Sequence, residues 1–131
     1  ETLRRFGTLP LANVMAPAIK WASQGFRITP YLFECVSDAA ADLSLDAEIS
    51  KLFMPGGAPI APGSHLIQGD YGETLKAIAT EGESILYGGA LGRTITDYMT
   101  QCGAMLSMAD LESYKTVERE PIRGTYRGYE N

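Results

Sequence analysis

Histidine and cysteine are scarce in this chain, and that scarcity sets its first limits. There is 1 histidine and there are 2 cysteines in 131 residues. A single histidine excludes multi-histidine metal sites and leaves any Cys/His or Ser/His pair resting on His65. Cys35 and Cys102 stand in separate apolar helical patterns with no CxxC spacing, which predicts buried thiols acting as small hydrophobes. Spacing alone neither makes nor excludes a disulfide between them, so the redox compartment stays open. No stretch approaches the roughly 20 consecutive apolar residues of a membrane helix. The start, Glu1-Thr-Leu-Arg-Arg, lacks a signal-peptide pattern, and any export signal would stand upstream of it. Lysine and arginine total 11 against 16 aspartates and glutamates, a net charge of -5. That balance disfavours nonspecific binding to nucleic acid or anionic membranes, which need clustered cations to displace counterions.

What is present is the composition of a soluble globular protein, 45% apolar and 21% charged, with no low-complexity tract or internal repeat. The length suits one domain with a modest core. We expect one helical unit over 1–131, helical from 8 to 116, with an extended arm over 117–131.

Helix starts and stops follow in order. Pro10 suits a first turn, and Leu11, Val14, Met15, Ala18, Ile19 and Ala22 form an apolar stripe ending at Gly25. Pro17 inside it predicts a bent helix or two short ones. Thr29-Pro30 opens a second helix through Asp42, and Asp46 caps a third over Ala47–Phe53. Met54 to Gly63, rich in proline and glycine, reads as an extended surface loop. Asp70 and Glu73 have capping-box spacing ahead of a helix ending at Gly82. A turn near Ile85–Gly88 leads to a helix over about Ala90–Gln101, closed by Gly103. Ser107 and Asp110 repeat the capping box before Tyr114. The closing segment, Arg119 to Asn131, reads as a strand, a tight turn and the beginning of a return strand whose partner lies beyond the end. The expected architecture is mainly α: an orthogonal bundle of about six short helices with a C-terminal β-hairpin arm.

Few residues invite chemistry, and each has a plainer use. Gly88-Gly89-Ala-Leu-Gly92 could cradle a phosphate at a helix start. It matches neither nucleotide fingerprint and follows no buried strand, so tight packing at a helix entry is expected; Gly56-Gly57 fails likewise. His65 is expected on a solvent-facing loop. Asp70 and Glu73 suit capping better than acid–base work. Arg119, Arg123 and Arg127 recur every four residues, which on a strand places them on one face, either an anion site or a solvated face balanced by Glu118 and Glu120. Tyr31, Tyr98, Tyr114 and Tyr126 read as core anchors. We assign no catalytic, cofactor-binding or metal-binding residue in the chain, and no cofactor.

An ordered series of short motifs resembles the γ-glutamyltranspeptidase family. It runs Phe6-Gly-Thr-Leu-Pro-Leu-Ala-Asn-Val-Met-Ala-Pro-Ala-Ile19 with Ala22 and Gly25-Phe26, then Leu66-Ile-Gln-Gly-Asp70 with Thr74-Leu75 and Ile78-Ala79. Tyr87 and Gly89, Asp110-Leu111 and Tyr114, Glu120-Pro121 and Tyr126-Arg-Gly-Tyr129 complete it. Gly69 stands where the family usually shows proline, and Tyr31 to Lys51 matches loosely.

The resemblance implies an αββα N-terminal-nucleophile hydrolase that cuts itself into a large and a small chain, with this segment in the later part of the large one. The attacking threonine would open the small chain, downstream of Asn131, and the arginine that holds the substrate carboxylate would precede Glu1. Implied partners are the rest of the large chain, the small chain and γ-glutamyl small molecules such as glutathione, with no metal or cofactor. Many family members are periplasmic or extracellular. The alternatives are an acylase-type relative acting on other amides, or a helical docking or scaffold module of a homologue without its nucleophile. The isolated segment is expected to be inactive and to self-associate through an exposed apolar face.

Overall fold

Three helix starts are held by side chains that accept hydrogen bonds from otherwise free backbone N–H groups. Thr29 Oγ1 accepts from the Leu32 amide at 3.1 Å, with Pro30 as the first helical residue. Asp46 Oδ1 accepts from the amides of Glu48 and Ile49, both at 2.9 Å. Ser107 and Asp110 form a full capping box. The structure, a computed structural model, describes the backbone of residues 1–130 and side chains over 1–129.

The order is α1 (Thr2–Phe6), α2 (Leu11–Gln24), β1 (Phe26–Arg27), α3 (Pro30–Asp38), α4 (Ala40–Leu43) and α5 (Ala47–Phe53). There follow β2 (His65–Leu66), α6 (Gly69–Glu81), α7 (Ser84–Tyr87), α8 (Ala90–Gln101), α9 (Met108–Ser113), β3 (Thr125–Tyr126) and β4 (Tyr129–Glu130). The chain is therefore mostly helical.

The two longest helices, α2 and α6, form the principal helix pair. A side-chain carbon at Gly72 would run into the Ser23 hydroxyl and lie 3.3 Å from the Ser23 Cα, so α6 can approach α2 there only with glycine. β1 and β2 pair antiparallel, Phe26 with Leu66 and Arg27 with His65. Gly25, at φ 77°, lets the chain leave α2 against the Leu66 carbonyl. This two-stranded clasp places Ile28 and Leu66 beside Ile60, and Phe26, Leu32, Phe33, Leu52 and Phe53 pack around them. Burying such side chains stabilises by ~1.5–3 kcal/mol each.

Several expectations change. α2 runs unbroken through Pro17, so two separate helices do not form. The expected helix over 30–42 breaks at Ala39, whose ψ of 4° departs from helical geometry. The loop after α5 is not wholly at the surface, because Met54 and Ile60 are buried, and a 3₁₀ turn over Pro55–Gly57 folds it back. Ile85 is buried on a short helix rather than in a turn. α1 and the β1–β2 pair were not legible from the residues, each being too short to carry a periodic pattern.

At the C-terminal end Arg127 and Gly128, at φ 51° and 82°, form the two-residue turn between β3 and β4 and set Tyr126 opposite Tyr129. The expected hairpin is present; Asn131, read as part of its return strand, lies outside the described residues.

Candidate functional site

A cleft of about 670 Å³ is lined by Glu1 and Arg5 of the α1 region, Glu83 and Tyr87 at α7, and Tyr114 to Thr116 with Glu118 after α9. Local chemistry positions each wall. The Ser107–Asp110 box starts α9, and its final turn closes with the Tyr114 amide donating to the Leu111 carbonyl. Tyr114 then turns extended, at φ -63° and ψ 128°, bringing its ring onto that of Tyr87. The two rings stack with centroids 5.5 Å apart and planes 11° from parallel.

Arg5 Nη1 donates to Glu118 Oε2 at 2.7 Å, tying α1 to the segment after α9. Beside it, the Arg4 guanidinium bonds the Glu1 carboxylate and holds its pKa below the ordinary 4.5. Both ion pairs are exposed and contribute little to stability. Glu83 and Lys115 make no ion pair among the described residues. His65, on β2, is not among the residues that line the cleft.

The residues weighed for chemistry are not brought together. A Cβ at Gly89 would lie 2.6 Å from the Ile85 carbonyl oxygen, and one at Gly92 would enter the Leu86 carbonyl oxygen. Both glycines therefore serve the close packing of α7 on α8, as the plainer reading expected. His65 is exposed, on a strand rather than a loop. Asp70 and Glu73 form no capping box: Gln68 occupies the cap position without a side-chain bond, and Glu73 accepts from Lys76 at 2.6 Å. α6 begins two residues earlier than that box requires, at Gly69, and a first helical position is where proline fits.

Arg119, Arg123 and Arg127 share no strand face. β3 begins only at Thr125, and Arg127 sits in the turn, its guanidinium 5.2 Å from the Tyr126 ring centre. Tyr31, Tyr98, Tyr114 and Tyr126 are 76%, 58%, 62% and 67% exposed, so none is a core anchor in this chain. Cys35 and Cys102 are exposed and free, not buried. Each follows a tyrosine by one helical turn, and a hydrogen bond to that cysteine raises the hydroxyl pKa of Tyr31 and of Tyr98 above 10.0. The apolar stripes place these residues on helix flanks that nothing within the described residues covers. No group of three or more metal-ligating side chains converges among those residues, and no helix there is long and apolar enough to cross a membrane.

Comparison with known proteins supplies what the cleft does not. The profile of the Gamma-glutamyltranspeptidase family matches residues 1–130, and the chain belongs to that family. It is 55% identical over 130 residues to an Acylase ACY 1 proenzyme of Pseudomonas sp. (strain V22), covering 99% of this chain and 23% of that protein. It is 36% identical to the glutathione hydrolase proenzyme of Bacillus subtilis (strain 168), covering 99% of this chain and 22% of the relative. Among solved structures, Helicobacter pylori γ-glutamyltranspeptidase superposes with a TM-score of 0.90 at 30% identity, over 99% of this chain and 38% of that one. The chain thus spans less than a quarter of the length of these two curated relatives.

Proposed function

We propose that this chain is the helical part of the large chain of a self-processing amide hydrolase or transferase with an αββα N-terminal-nucleophile core. The observation that carries the proposal is the family match over 1–130, together with relatives that are themselves proenzymes. In this reading the attacking threonine opens a small chain beyond Asn131 and its own amine serves as base. Residues 1–131 then hold no catalytic, cofactor or metal position and act as one helical unit with a C-terminal arm that joins the sheet core. They are inactive alone. Exposed Val14, Trp21, Ile67 and Tyr71 support self-association of the isolated segment; light scattering that finds a dilution-insensitive monomer would exclude it.

The reaction is cleavage of γ-glutamyl amides of the glutathione type, by transfer or hydrolysis. A second reading, an acylase acting on other amides, is favoured by the higher identity to the acylase proenzyme, 55% against 36% for the glutathione hydrolase. Intact mass of the purified full-length protein, followed by parallel assays on a γ-glutamyl anilide and an acyl anilide lacking the α-amino group, tests both. Two chains with threonine at the new N-terminus are expected. Turnover of only the second substrate selects the acylase; one uncut chain, inactive on both, leaves a docking or scaffold module.

A further inference from the structure

We draw no further inference here: the strongest candidate, the cleft between α1, α7 and residues 114–118 with its stacked Tyr87–Tyr114 wall, carries none, because nothing in the structure shows what covers it.

Discussion

Gly72 of α6 lies against Ser23 of α2 so closely that a methyl group at position 72 would enter the space of the Ser23 hydroxyl. That hydroxyl is buried and has no hydrogen-bond partner among the described residues. The principal helix pair is thus held close by one missing side chain and carries one orphaned polar atom.

Gly72→Ala should destabilise the chain by ~1–3 kcal/mol, the usual cost of overpacking. Ser23→Ala should be neutral or stabilising, because it removes an unsatisfied buried hydroxyl. The two should couple, with Ser23→Ala recovering part of the Gly72→Ala loss. Urea denaturation of the single and double variants measures this; additive effects would mean the contact is relieved elsewhere.

Tyr87 and Tyr114 should couple as well. Stacked aromatic pairs contribute ~0.5–1.5 kcal/mol beyond burial. Tyr87 is 36% and Tyr114 62% exposed, so the lower end of that range is expected. A double-mutant cycle on leucine variants reads the coupling directly, and a value indistinguishable from zero would show the stack to be energetically idle.

Asp46 accepts from two amides at the start of α5. Asp46→Ala should cost about 1 kcal/mol, and Asp46→Asn should recover most of it by keeping the accepting oxygen. Thermal melts of the two variants, compared with wild type, check this ordering.

The Ser107 hydroxyl and amide hold the Asp110 carboxyl below its ordinary value of 3.8. A carboxylate with a lowered folded pKa stabilises fully above its unfolded pKa, and the contribution is lost as pH falls through the folded value. The α9 capping box should therefore still be largely intact at pH 3.8 and open only as the pH falls through the lower folded value. Asp110→Asn should flatten that acid limb. An NMR titration of the Ser107 amide resolves it, and a midpoint at or above 3.8 would contradict the geometry.

Capping chemistry was legible where donor and acceptor lie within one turn of sequence. Thr29, Asp46 and the Ser107–Asp110 box all act where their spacing placed them. The same logic failed at Asp70–Glu73, since a helix beginning at Gly69 moves both carboxylates inside the first turns, and Lys76 then takes Glu73. Glycine pairs gave a correct warning about packing at Gly89 and Gly92 without identifying Ile85 and Leu86 as the partners. The cleft itself could not be read. Its walls come from residues 1–5, 83–87 and 114–118, and no local pattern records that these meet.

The sequence by itself determined the capped starts of α3, α5 and α9, a tight turn within the closing segment and membership of the family, because each rests on residue types at short fixed spacings or in a fixed order. Tertiary structure decided what each apolar or aromatic side chain is for. Tyr31, Tyr98, Cys35 and Cys102 sit on helical stripes that look like core, yet burial depends on which element packs against a stripe. Only the folded chain supplies, or withholds, that neighbour.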